Sequence, residues 1–191
     1  MNRAQAYEIL NKYLTNPNLI KHSLAAEAAM RAIYAHLFTG KNFDLETQEK
    51  WGITGLLHDA DYEMCKGHPE IHGLLLFEKE ATPFPEDIKH AIKAHNYQYT
   101  NIIPKSALDC AIACCDQLTG LIVAAALILP DKKLASVTTE FVLRKMDDKN
   151  FAKGADRASI RLCEEKLGIP LPEFVSITLK AMQGISTQLG L

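Results

Sequence analysis

"PKSALDCAIACCDQLTGLIVAAALILP", residues 104–130, is the stretch that decides the fold class. By length and hydrophobicity alone it could cross a bilayer. Asp109 and Asp116 interrupt it, which predicts a buried core helix instead, opened by Pro104 and stopped by Pro130. A carboxylate on the inward side of such a helix is costly unless it is paired or holds an ion. Asp116, on the side of Ile112, Ala113 and Val123, therefore marks a site.

Outward from this run the period stays helical. Residues 3–15 carry Ala6, Ile9, Leu10, Tyr13 and Leu14 on one side, and "NPN" (16–18) breaks the chain. Residues 19–38 are Ala-rich without Gly or Pro, a strong helix signal. Asp44 is placed as the N-cap of a helix through about residue 57. Further helices are expected over about 69–80, from "TPFPED" (82–87) to His95, and over 131–147, 155–167 and 171–189. No alternating run suggests a strand. The expectation is one all-α domain over 1–191: a bundle of about eight or nine helices, a core at about 19–129 and C-terminal helices at 131–189.

The composition is that of an ordinary globular protein: 48% hydrophobic, 23% charged, net charge -2. No nucleic-acid polymer or membrane partner is implied. The N-terminus "MNRAQAYEILNKYL" lacks an apolar signal region. The five cysteines, an odd number without framework spacing, fit a reducing cytoplasm. Cys110 and Cys114 lie four apart on a helix, but free cysteines are commonly buried, and burial is the expectation.

Seven histidines are present, and the question is which can share a site. His22 lies on the Ala25, Ala26, Ala29, Ile33 stripe, the face to bury. His36 is about 21 Å further along that helix and cannot join it. His58 and Asp59 are adjacent in "GLLHDADYE" (55–63). Neighbours on a helix diverge by about 100°, so both reach one ion only if the helix ends there. His72, with Leu75 and Leu76 on one side of the expected 69–80 helix, is favoured over His68, which sits between Gly67 and Pro69. His95 continues the Ile88, Ala91, Ile92 stripe, and His90 points away. The inward set is His22, His58, Asp59, His72, His95 and Asp116. Such a set suits a divalent transition metal (Fe, Mn, Co, Ni or Zn) and not calcium. One ion would use about four of these ligands. Six, with a bridging carboxylate, would suit two ions.

The order His22, then "HD" at 58–59, then Asp116 resembles the H…HD…D signature of the HD superfamily of metal-dependent phosphohydrolases. The flanking phrases "HSLAAEAAMRA" (22–32), "AHN" (94–96), "DQLTGLI" (116–122) and "FAKGADRASIRLCEEKLG" (151–168) are similar to those of short stand-alone prokaryotic members. His72 and His95 resemble the two further ligands of binuclear members. "AHNY" stands where cyclic-dinucleotide enzymes of the superfamily have a double histidine.

The resemblance implies an all-helical fold and hydrolysis of a nucleotide or other small phosphate ester, with Asp59 bridging ions or orienting water. Asp61 and Glu63 are either supporting groups or a solvated acidic turn. Lys132, Lys133 and Arg157 are the expected holders of substrate phosphate. The expected partner is a small phosphorylated substrate; a homodimer is left open. Two other classes remain: a di-iron oxygenase of the same fold, and a non-catalytic binding protein.

Overall fold

The computed structural model describes residues 1–191, the side chain of Lys41 excepted. It is all-helical, with no strand among the described residues. Eight helices of nine residues or more carry the architecture. They are α1 (Arg3–Tyr13), α2 (Pro17–Leu37), α3 (Leu45–Leu57), α6 (Glu86–His95), α8 (Ala107–Leu127), α9 (Thr139–Asp147), α10 (Arg157–Leu167) and α11 (Leu171–Gly184). Three single turns lie between them, α4 (Tyr62–Cys65), α5 (Leu76–Lys79) and α7 (Tyr97–Thr100), and a fourth, α12 (Ser186–Leu189), follows α11.

The apolar run is the centre of the bundle. α8 is long and apolar enough to span a membrane, yet two-thirds of its most apolar window is buried inside the protein. It packs against α2, α6 and α10. Its two acidic residues have different fates. Asp109 forms a capping box with Ser106 and also accepts from the Lys105 amide, so the helix starts at Ala107, not at Pro104. Asp116, two turns on, is left to face the interior.

Two apolar clusters fill the bundle. The larger draws on α2, α8, α9, α10 and α11, and includes Met30, Ile112, Leu118, Phe174 and Met182. The smaller gathers α1, α3 and α6 around Leu10, Leu56, Leu57 and Ile92. α2 and α3 cross where both have shed side chains. A Cβ on Gly55 would stand 2.6 Å from the Ala26 carbonyl oxygen, so only glycine permits this approach.

The expected N-cap at Asp44 is seen; the helix expected over 19–38 begins two residues earlier, at Pro17, with Asn16 as its N-cap. Three expected helices are corrected. The 69–80 helix is a 3-10 turn (Pro69–Ile71), a loop and the short α5. Gly73 there takes a left-handed φ of 82°, and the buried Asp61 carboxylate accepts the amides of Gly73 and Leu76. A side chain thus takes the donors that a helix would use. The 131–147 helix starts only at Thr139, because Asp131 binds the Lys133 amide and the Ser136 hydroxyl and Thr138 supplies the cap. The 171–189 helix breaks between Gly184 and Ser186 into α11 and α12.

Candidate metal centre

Two close backbone approaches build a site, the first of them that of Gly55 to Ala26. α2 carries His22 one turn before Ala26, and α3 carries His58 just after Gly55. Packing Gly55 onto Ala26 therefore brings the two imidazoles together, Nε2 to Nε2 at 3.2 Å. α3 ends at Leu57, and residues 58–61 are turn, so His58 and Asp59 both reach inward. A second pinch repeats the device. A Cβ on Gly73 would meet the Ile92 carbonyl at 2.9 Å. That contact seats His72 against His95, with their Nε2 atoms 3.1 Å apart.

All six expected ligands converge. His22, His58 and Asp116 form one group and Asp59, His72 and His95 another, each with ligand atoms within 4.8 Å of one another. Asp116 Oδ1 lies 2.9 Å from His22 Nε2 and 3.4 Å from His58 Nε2. Asp59 stands between the groups. Its Oδ1 is 3.1 Å from His72 Nε2, 3.5 Å from His58 Nε2 and 3.7 Å from His95 Nε2. Its Oδ2 is 3.5 Å from His22 Nε2. His58, Asp59, His72 and His95 are buried.

The outer ring nitrogens decide what this cluster can do. His58 Nδ1 lies 2.8 Å from the Gly55 carbonyl, and His95 Nδ1 2.5 Å from the Ile92 carbonyl. A carbonyl can only accept, so both Nδ1 atoms carry the proton. His72 Nδ1 donates to Asp61 Oδ1 at 2.7 Å, and His22 Nδ1 faces the Thr119 hydroxyl at 3.4 Å. Four neutral imidazoles would then turn four Nε2 lone pairs toward the two carboxylates. Anchoring the outer nitrogen in this way is how metal-binding histidines are oriented. Separations of 2.9–3.7 Å between inner atoms are close to the roughly 3.0–3.4 Å edges of ligand shells at about 2.1 Å from an ion. The donor set fits a divalent transition metal, and two carboxylates balance its charge.

Without an ion, protons take that place. Burial would push the His58 imidazolium pKa down, but Asp59 and Asp116 outweigh it and raise it to about 9. His72, likewise opposed by burial, is raised to about 10 by Asp59 and Asp61. Burial also works against the carboxylates, yet the imidazoles hold Asp59 and Asp116 far below the usual range.

The remaining candidates separate cleanly. His36 is exposed, and His68 points to solvent beside Glu70. His72 is thus the inward histidine of its pair, though an extended residue after a 3-10 turn presents it and not a helix face. His90 pairs with Asp109 at 2.9 Å, outside the cluster. Asp61 is fully buried beneath His72, whereas Glu63 caps the Thr15 and Asn16 amides. Arg157 is tied to its own loop: Nη1 and Nη2 bind the carbonyls of Phe151, Ala152 and Ala155, and the buried Nε has no partner among the described residues. Lys132 and Lys133, exposed in the loop after α8, line neither cavity that opens on His22. The buried cysteines are thiols. Burial pushes Cys65 and Cys163 up to about 12, and the Cys65 Sγ–H donates to the Asp61 carbonyl.

Sequence reasoning left out Gln117, which donates to Asp116 Oδ2 at 2.7 Å and accepts the Asp156 amide at 2.9 Å. Its position beside Asp116 was the available signal. The protein is thus an all-helical bundle with clustered, buried His and Asp groups able to hold a metal ion. No family model, no curated protein and no solved structure matches the chain.

Proposed function

We propose that this chain is a metal-dependent phosphohydrolase of the HD type, acting on a small phosphate ester. One observation carries the reading: four imidazoles, each with its outer nitrogen engaged elsewhere, aim their inner nitrogens at Asp59 and Asp116. The H…HD…D order of His22, His58–Asp59 and Asp116 supplies the link to phosphate chemistry. His22, His58, Asp59 and Asp116 would hold one ion, and His72 and His95 would extend the shell toward a second. A divalent ion held there acidifies water and withdraws charge from a phosphoryl oxygen.

The chain's own residues do the rest. Asp59 spans both halves of the cluster, with Oδ1 facing His58, His72 and His95 and Oδ2 facing His22. Asp61 fixes the tautomer of His72, and the Gly55 and Ile92 carbonyls fix those of His58 and His95. Asp59 is buried, which strengthens the interactions around it, while Asp116 stays open to a cavity through which substrate could enter.

The test is elemental analysis of protein purified without chelator, on wild type and Asp59→Ala, with p-nitrophenyl phosphate turnover measured on the same samples. One or two equivalents of Mn, Co, Ni, Zn or Fe, lost in the variant together with turnover, support the reading. Absence of metal after reconstitution overturns it. Two equivalents of iron with O₂ consumption and no phosphatase activity would transfer the site to oxidative chemistry.

A further inference from the structure

A cavity of about 470 Å³ lies against His22, a size ordinary for a small-molecule site. Its two walls differ in chemistry. One wall is α8, where Gly120, Val123 and Leu127 stand four, seven and eleven residues after Asp116. That spacing is one helix face, so the wall runs from the candidate metal ligand to the end of the helix. Leu189 and Leu191 add to the apolar lining. The other wall is α2, where Asn18, Lys21 and His22 share a face and hold the polar side chains of the lining. A second cavity of about 270 Å³ shares His22 and Gly120 and adds Asp116. The space therefore continues to the cluster.

Two residues suggest that the space is kept for a ligand. Gly120 lies inside a 21-residue helix, where glycine destabilises relative to alanine. Nothing lies within 4 Å of where its Cβ would be, so packing does not require it. What its absent side chain does is leave room above Asp116. Lys21 has no ion pair or side-chain hydrogen bond among the described residues. Its ammonium rests over Gly190, where a Cβ would come within 2.9 Å. Leu127 meanwhile remains 49% exposed at the rim.

We propose that this cavity binds the organic part of the substrate, and that the substrate is a phosphate monoester with an apolar body. The inference rests on the metal-centre reading above. The phosphate would lie over His22 and Asp116 within reach of Lys21, and the apolar group would run along Val123, Leu127 and Leu189. A nucleotide fits less well, because base and ribose need polar partners on the wall that offers only apolar ones.

The probes are straight-chain alkylphosphonates from methyl to octyl, which cannot be hydrolysed. They are titrated calorimetrically onto metal-loaded wild type, Gly120→Leu, Leu127→Ser and Lys21→Ala, with metal content measured on each. Each methylene that enters the apolar cavity should tighten binding about threefold to fourfold. Gly120→Leu, whose side chain fills the space above Asp116, should weaken methylphosphonate and flatten the slope while keeping metal content. Leu127→Ser, an exposed change that the fold tolerates, should weaken only the longer chains. Lys21→Ala should weaken all lengths by a similar factor, about tenfold. If wild type binds methylphosphonate but shows no slope, or if Gly120→Leu keeps the slope, the apolar-substrate inference falls and the metal centre stands. Tighter binding of the non-hydrolysable phosphonate analogue of adenosine 5′-monophosphate than of octylphosphonate by metal-loaded wild type would also overturn it. If no sample retains metal, the functional reading and this inference fall together.

Discussion

Asp61→Asn is the most discriminating single change. Asp61 is fully buried and serves three donors. Oδ1 receives His72 Nδ1–H at 2.7 Å and shares the Gly73 amide at 3.1 Å. Oδ2 receives the Gly73 amide at 3.0 Å and the Leu76 amide at 3.1 Å. Asparagine keeps one of these oxygens and replaces the other with a donor. Placed at Oδ2, its NH₂ opposes two amides; placed at Oδ1, it opposes the imidazole. At least one buried donor is stranded, at about 1–3 kcal/mol, and a bond to a charged acceptor is lost. A total of about 2–4 kcal/mol should appear in urea unfolding of the metal-free protein. His72 is also released to its other tautomer, whose Nε2 carries the proton and offers no lone pair. Metal affinity, followed by competition with a chromophoric chelator, should fall about 10- to 100-fold. Unchanged stability would refute the accounting of donors. A destabilised variant with wild-type metal affinity would refute the tautomer argument.

Other outcomes follow from the same structure. Gly55→Ala gains about 1 kcal/mol of helix propensity but drives a Cβ to 2.6 Å from the Ala26 carbonyl; net destabilisation of about 1–3 kcal/mol is expected from overpacking, and a raised Tm would refute it. Metal binding should release protons. His58 and His72 are raised to about 9 and 10 in the metal-free protein, so both are protonated at neutral pH and an ion must displace those protons. Apparent affinity should rise with pH up to about 9–10 and then level off, as calorimetry in buffers of different ionisation enthalpy would show; affinity independent of pH from 6 to 8 would contradict it. Glu80 is held at about 2, first by its hydrogen bond to Lys12 and then by Thr82. A depressed carboxylate stabilises above its unfolded value near 4.5 and loses that contribution as pH falls toward 2. Glu80→Gln should therefore cost about 1 kcal/mol at pH 7 in denaturant unfolding, with the gap closing over that acid window.

Much of this protein follows from local rules. The periodic Ala-rich stretch after Pro17, the Asp44 cap and the interrupted apolar run of α8 specify helices through propensity, capping and burial, all of which act over a few residues. His22, His95 and Asp116 were legible for a related reason: histidine or aspartate on an apolar helix face must meet something inside the bundle. His58 and Asp59 were legible as neighbours at a helix end, and His72 was placed on a helix face that the fold does not have. Where the chain leaves regular helix, the sequence misled. The 69–80 segment reads as helical, yet Asp61, distant in sequence, takes its amides and Gly73 turns it. Arg157 reads as a phosphate holder, and in the fold its Nη1 and Nη2 bind carbonyls of its own loop.

The sequence by itself determined most of the long helices and the inward side of those that carry His22, His95 and Asp116, because periodicity and the cost of burying charge are read one helix at a time. Only the tertiary structure decided that the two triads adjoin. Their distances depend on the Gly55–Ala26 and Gly73–Ile92 approaches, and a missing Cβ acquires meaning only once the backbone it admits is in place.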